Sequence, residues 1–529
     1  MTDFDLVIRN GLVHDGAAEC ELREADVAVA GDRVARIAPE IPPDRARVLD
    51  AKRCIVGPGF VDVHAHSDQS ALTFPGAESK VCDGVTTEVN GNCGLTMFPV
   101  LNRARPIEGG EVLVEDWDNL EWFLEQVEQV GTAVNRAYLM GHGALRTGVM
   151  GLDDRPPSGA ELALMQSLIA AAMDQGALGL SSGLAYAPGC FARVEELAAL
   201  CRVVARRNGI YATHIRNEGD EVVESVREAL AVARASGVKL QIGHLKTLGR
   251  SNWAKVRDLE RLLTAARREG IDVTADRYPY LACSTGLRAM FSLWLMDGGP
   301  EKAVTRLRDP VCRRRLLEER STEFGGEMLW ESVMVASVRS EENRHWVGHP
   351  IAGIARQRGK SPQETALDLL AEEQTHVGVV VFAMSEENLA AILNWPFVMV
   401  ASDSGARDFE TEKGRSLPHP RAFGTFSRVL GRLVRQDRAL DLTTAVHKMT
   451  AMPARRYGLR DRGVLREGSF ADITVFDPDL VLDRATFEDP FQASEGIRHV
   501  LVNGVPVLED GELTRRRPGK VLRKGVDVS

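Results

Sequence analysis

Apolar positions along the chain follow two periods, and the order in which they alternate predicts the architecture. Short apolar runs broken by turn residues open the sequence at 6–8, 11–13, 27–29 and 34–37, as in a small antiparallel sheet. The same style returns at 470–476 and 500–505. Two β-rich stretches at opposite ends predict one small β-sandwich domain assembled from residues 1–57 and 458–529. Between them the pattern changes. Candidate strands run over 61–66, 86–93, 136–142, 177–182, 210–215, 240–245, 273–278, 377–384 and 398–403. Helical stretches separate most of them: Leu164/Leu168, Met165/Ile169 and Ile169/Met173 keep the i, i+4 spacing of a buried helix face, and 195–207 and 221–235 behave similarly.

Strands alternating with helices predict βα units and a parallel sheet, here an α/β fold of the (β/α)8 TIM-barrel type over 58–457. Nine candidate strands exceed the eight of such a barrel, and 377–384 is the weakest of them. The rhythm also breaks over 285–350, where Trp294, Trp330, Trp346 and the run Arg313-Arg314-Arg315 fall. That stretch is predicted to be an inserted subdomain, with the arginines on a solvated helix face.

Polar residues at the C-terminal ends of barrel strands read as functional, because the active site of this architecture lies on that face. The first central strand ends Asp62-Val63-His64-Ala65-His66, and a period of two puts both imidazoles on one face. The second ends Asn90-Gly91-Asn92-Cys93-Gly94, others end at His214 and at His244-Leu245-Lys246, and the last ends Ser402-Asp403-Ser404-Gly405. A single histidine in such a place is most often a satisfied core residue. Four histidines, a cysteine and an aspartate at corresponding ends of five strands form a metal-ligand set. Imidazole, thiolate and carboxylate suit zinc, and Asp403 could take and deliver the proton of a metal-assisted hydrolysis. His142, after the third strand, divides evenly between a pocket-lining and a structural role. His14, His345, His349, His376, His447 and His499 show no partner pattern and read as structural.

Composition narrows the class. Hydrophobic residues make up 44% and charged residues 26% of 529, as in ordinary globular proteins. With 75 acids against 65 bases the net charge is −10, which argues against a nucleic-acid partner and an anionic membrane surface. The start Met1-Thr2-Asp3-Phe4-Asp5 lacks the charged and apolar regions of a secretory signal. Eight scattered cysteines form neither a disulfide framework nor a CxxC knuckle. A reduced, cytoplasmic enzyme is the expectation.

At these residues the chain resembles the amidohydrolase superfamily, and within it the D-aminoacylase (N-acyl-D-amino-acid deacylase) family. The resemblance runs over nearly the whole chain. It is carried by 57–66 (Gly-Pro-Gly-Phe-Val-Asp-Val-His-Ala-His), Gly84-Val85-Thr86-Thr87, Gly91-Asn92-Cys93-Gly94, 176–184, Tyr278-Pro279-Tyr280 and His419-Pro420-Arg421, and by 463–468 with Ala471-Asp472 in the returning β domain. The Asn-Cys-Gly element is the specific one. Related cyclic amidases carry a carboxylated lysine at the end of strand four, where this sequence has Gly179-Leu180-Ser181.

The resemblance implies one tightly bound Zn2+ at Cys93, His214 and His244, and a second, weak or vacant position at His64 and His66. It implies Asp403 as acid/base, and a substrate carboxylate bound by Lys246, Tyr280, Ser284 and Arg421, with Tyr186 beside them. The stretch from His244 to Asp403 looks longer than in compact members, and Arg277 adds a cation expected to face away from Tyr278 into a salt bridge. The expected reaction is zinc-dependent hydrolysis of N-acyl-D-amino acids to a carboxylic acid and a D-amino acid. Its rivals are hydrolysis of another carboxylate-bearing amide (a cyclic amide or a dipeptide) and a non-catalytic scaffold. The partner is a small carboxylate-bearing molecule, and self-association is left open.

Overall fold

A computed structural model of the chain describes residues 4–99, 119–319 and 330–528. Met1–Asp3, part of the start that lacks the features of a secretory signal, and positions 320–329 of the expected insertion lie outside them. The fold is mixed α/β, and everything below concerns the described residues.

Both termini contribute to one sheet, in the order 512–513, 505–509, 497–502, 473–476, 55–58, 6–13, 23–30, 33–38, with 47–50 beside 6–13. The seam between the two ends is the antiparallel pair Ile55–Pro58 and Ile473–Phe476, with Val56 opposite Val475. Val27, Val56, Ile473 and Val475 form the dry interior of this sheet.

The central strands are parallel, as the alternation with helices requires. One sheet pairs Phe60–Asp62, Val85–Asn90 and Asn135–Tyr138 in that order. Another runs through Met140–Gly141, Gly179–Gly183, Ile210–His214, Lys239–Ile242, Val273–Arg277 and Val398–Val400. Leu139 alone separates Tyr138 from Met140, and at the other extreme Ala65 bridges Ser404 in parallel. The strands stop earlier than the apolar runs suggested. His64, His66, Cys93, His244 and Asp403 therefore lie in the turns just beyond them.

The stretch 377–384 does not join the parallel strands. Val377–Phe382 is the middle strand of a separate antiparallel sheet, between Ala282–Gly286 and Val333–Val338. An apolar run of this length satisfies either kind of sheet, so periodicity could not choose between them. This sheet draws on residues at both sides of 285–350. It has its own core of Leu287, Trp330, Leu367, Val379 and neighbours. The arginine run lies on the helix Pro310–Glu318. Arg313 meets Asp368 at 2.7 Å and Arg315 meets Glu319 at 2.7 Å.

The helix Gly159–Asp174 starts where local chemistry dictates. Ser158 accepts from the Glu161 amide, and Glu161 returns a bond to the Ser158 amide, a reciprocal cap for otherwise unpaired amides. Met165, Ile169 and Met173 are buried as the spacing predicts, but Leu164 is 46% exposed and falls outside the buried face. One buried charge cluster ties the first strands together. Lys80 donates to Asp62 (2.7 Å) and the Ser402 hydroxyl (2.7 Å), and Glu88 meets Arg136 at 2.9 Å.

Candidate active site

Cys93 is the hub of the strand-end set. Its Sγ lies 3.3 Å from His64 Nε2, 3.6 Å from His244 Nε2 and 3.8 Å from His214 Nδ1. The donor atoms fall into two groups that share this thiol: His64, His66, Cys93 and Asp403, and Cys93, His214 and His244. A tetrahedral zinc with ordinary Zn–S and Zn–N bonds separates sulfur from nitrogen by about 3.5 Å, so the spacing fits that ion. The imidazoles are also oriented from behind. His64 Nδ1 meets Asp276 at 3.1 Å, and His244 Nδ1 meets Glu218 at 2.9 Å, with His214 Nε2 4.0 Å from the same carboxylate. A carboxylate behind a ligating histidine fixes its tautomer and raises its basicity.

The backbone is forced into this arrangement. Cys93, His244 and Asp403 take φ of 54°, 35° and 52°, in the left-handed region that side-chain-bearing residues rarely occupy. Gly243 permits the closest approach, since a Cβ there would meet His64 Cε1 at 2.6 Å.

Asp403 lies 3.1 Å from His66 Nε2 and 3.5 Å from His64 Nε2, and Arg421 Nη1 touches its other oxygen at 2.6 Å. Burial opposes its charge, yet Arg421 and His244 hold the carboxyl well below the usual carboxylate range. Burial likewise raises the Cys93 thiol, and His64 and the other imidazoles more than reverse it. The Arg421 contact is off hydrogen-bond alignment. Its Nε and Nη1 are buried donors that make no hydrogen bond among the described residues, a costly state that an acceptor from a ligand would relieve.

The structure brings His64, His66, Cys93, His214, His244, Asp403 and Arg421 together. Lys246 joins them in a different posture: its ammonium contacts Glu218 and His244 Nδ1 (2.8 Å) and lies 5.7 Å above the Tyr278 ring. Tyr186 packs 4.8 Å from His214, its hydroxyl 3.3 Å from Thr285 Oγ1. Tyr280 is not brought in. Arg428 lies over its ring, and its hydroxyl is 3.4 Å from Asp483. Tyr278 takes that place, with Arg421 4.6 Å above the ring and a buried hydroxyl that makes no hydrogen bond.

Ser284 also differs from expectation. Alternation along Ala282–Gly286 puts its side chain on the face of Ala282, which packs on Ala336 and Val380. Cys283 and Thr285 share the face toward Tyr278 and Tyr186. Arg277 makes no salt bridge among the described residues. It lies 4.3 Å over the Tyr278 ring and donates to Tyr280 O at 3.0 Å. His142 is structural, bonded to Glu196 at 2.9 Å. His14 gathers with Asp15 and Cys20, but its Nδ1 accepts from the Gly16 amide. Sequence reasoning missed Glu218 and Asp276. Their signals were a glutamate four residues after His214 and an aspartate at the end of a parallel strand.

A family profile described as "Amidohydrolase family" matches residues 47–298 and 402–508. The chain is 37% identical to an N-acyl-D-glutamate deacylase of Alcaligenes xylosoxydans xylosoxydans, covering 99% of this chain and 98% of that protein. Among solved structures it resembles N-acyl-D-glutamate deacylase of Bordetella bronchiseptica, complexed with zinc and a phosphonate mimic of the reaction's tetrahedral intermediate. That likeness has a TM-score of 0.81 and 34% identity over 99% of this chain and 100% of that one. It also resembles a D-aminoacylase studied for its binuclear metal centre, with one-metal activation and second-metal attenuation. Here the TM-score is 0.83 and the identity 33%, over 98% of this chain and 100% of that one. Fold, ligand set and likeness together define a metal-dependent amidohydrolase. Within that class the chain belongs to the D-aminoacylase family.

Proposed function

We propose that the protein hydrolyses the amide bond of N-acyl-D-amino acids with zinc as its metal. The observation that carries this reading is the contact between Arg421 and Asp403, 2.6 Å apart beside the thiol–imidazole cluster. In an N-acyl amino acid one carbon separates the carboxylate from the scissile nitrogen. A carboxylate on the unsatisfied Nη1 of Arg421, the nitrogen that lies against Asp403, therefore puts the scissile nitrogen within reach of Asp403.

Cys93, His214 and His244 would hold the tighter zinc, and His64 and His66 a second, weaker one. A bound zinc supplies polarisation of the amide carbonyl and acidifies water at the site. Arg421 and the Tyr278 hydroxyl bind the carboxylate, and Lys246 adds positive charge above the same ring. Asp403 accepts the proton of the attacking water and passes it to the departing nitrogen. Glu218 and Asp276 keep the imidazoles oriented. The strands support one scaffold for this site. Across Leu139 and the Ala65–Ser404 bridge, the eight parallel strands are read as a closed (β/α)8 barrel over 58–457. The composite β domain (1–57 and 458–529) lies at its side, and the insertion extends into the sheet at 282–286, 333–338 and 377–382.

The test is a panel of N-acetyl-D- and N-acetyl-L-amino acids on zinc-loaded protein, with metal content measured on the same batch. Turnover confined to D-substrates is expected. Equal turnover of both enantiomers, or of neither, overturns the assignment.

A further inference from the structure

The strand Ala282–Gly286 is an edge: it pairs with Val377–Phe382 on one side and, among the described residues, with no strand on the other. The register settles which of its backbone groups point outward. Val335 accepts from the Gly348 amide at 2.8 Å and donates to His349 O at 3.0 Å, so its backbone turns away from its register partner Val379. Val379 then bonds on its other side, to Thr285. Hydrogen-bonded and non-bonded pairs alternate along an antiparallel ladder. Cys283 and Thr285 therefore bond inward, and Ala282 and Ser284 direct both N–H and C=O to the free edge.

His419 corroborates this parity. Its Nδ1 accepts from the Arg421 amide (3.0 Å), so Nε2 carries the proton and donates to Ala282 O (2.9 Å). One pair further along, half-buried Ser284 offers the next outward donor and acceptor. The edge lies between His419, two residues from Arg421, and Tyr186, which touches Thr285 and packs on His214. It is thus part of the wall of the proposed pocket.

A donor and an acceptor on one residue, pointing the same way, match an amide chain. A carboxylate would satisfy the N–H and be repelled by the C=O. We propose that the Ser284 backbone is a β-type subsite for the acyl half of the substrate, and that the preferred acyl group is peptidic: an N-acyl-aminoacyl-D-amino acid. Main-chain pairing to an exposed edge is a recurrent mode of peptide recognition. The inference rests on the amide-hydrolase reading above.

The experiment compares kcat/KM for N-(acetylglycyl)- and N-pentanoyl-D-amino acids, which have acyl chains of equal length, on the D-residue turned over best. Zinc-loaded full-length enzyme is used throughout. A ratio of about tenfold in favour of acetylglycyl is expected, the worth of one to two net hydrogen bonds. Ser284→Pro removes the outward N–H and no ladder bond, as proline is tolerated at such edge positions. It should bring the ratio below about twofold, and Ser284→Ala should preserve it. The acetylglycolyl ester analogue, which lacks the substrate N–H, should lose the advantage on the unaltered enzyme. This arm decides the matter if the proline variant does not fold. A ratio near one on the unaltered enzyme, or an unchanged ratio in a folded Ser284→Pro, overturns the subsite and leaves the deacylase reading standing. Hydrolysis of neither substrate overturns both.

Discussion

Two buried charge clusters grow from the same few strands, and they are balanced differently. In the first, Asp62 and Glu88 meet Lys80 and Arg136, and Asp62 also takes the Ser402 amide and hydroxyl. In the second, beginning two residues later at His64, a thiol lies among three imidazoles, and Arg421 keeps two buried donors without hydrogen bonds. Opposite charges matched inside the protein hold strands together. Unpaired polar atoms occur in both, Glu88 Oε2 and Arg136 Nη2 in the first and Arg421 Nε and Nη1 in the second; what marks the second is a thiol and imidazoles whose donor atoms converge on one point, as a metal requires.

Removing the hub should break the second cluster alone. Cys93→Ala is expected to abolish both bound metal and turnover while leaving the fold intact by circular dichroism. Retained metal and activity would refute the ligand assignment. Asp403→Asn should keep the metal and lower kcat by about 10²–10⁴-fold, the usual worth of a positioned acid/base. Lys80→Met should do the reverse. It leaves two buried carboxylates short of a cation, so a stability loss of about 3–5 kcal/mol is expected in denaturant titration, with metal affinity little changed in the folded fraction.

Arg421→Met sharpens the contrast further. It should lower kcat/KM by about 10–100-fold, the range for a charged hydrogen bond. The loss should be much smaller on a substrate whose carboxylate is masked as an amide. The smallest effect concerns a buried cation in neither cluster. Lys448 donates to Trp395 O and Val398 O, and burial pushes its ammonium down to about 8. The unfolded chain then binds more protons between about pH 8 and the ordinary lysine value, so this group makes stability rise with pH across that window. Thermal unfolding of Lys448→Met at pH 8 and pH 10 should show a shallower rise than the unaltered chain.

The proposed ligands were legible because each carries a chemically distinctive side chain at a strand end, where HxH, Asn-Cys-Gly and Ser-Asp-Ser recur in step with the strands. The parallel order and the pooling of both termini followed from periodicity. What escaped depended on orientation. Tyr278 and Tyr280 are equivalent as letters, and only the turn after Arg277 decides which ring faces Lys246 and Arg421. Ser284 sits one residue from the two that face the pocket. Glu218 stands four residues after His214, but its contacts with His244 and Lys246 reach across to a neighbouring strand end, which that spacing does not encode. Val377–Phe382 reads alike in either sheet, and its place is set by partners about 40 and 90 residues upstream.

The seam between Ile55–Pro58 and Ile473–Phe476 sets a timetable for biogenesis. The first strands leave the ribosome without their partner, and synthesis of the intervening residues takes about 20–80 s at ordinary elongation rates. During that wait the edge at Ile55–Pro58 is an unpaired apolar template, open to mispairing. The nascent protein therefore completes its first sheet among its last acts, after the strands that carry the proposed ligands have emerged.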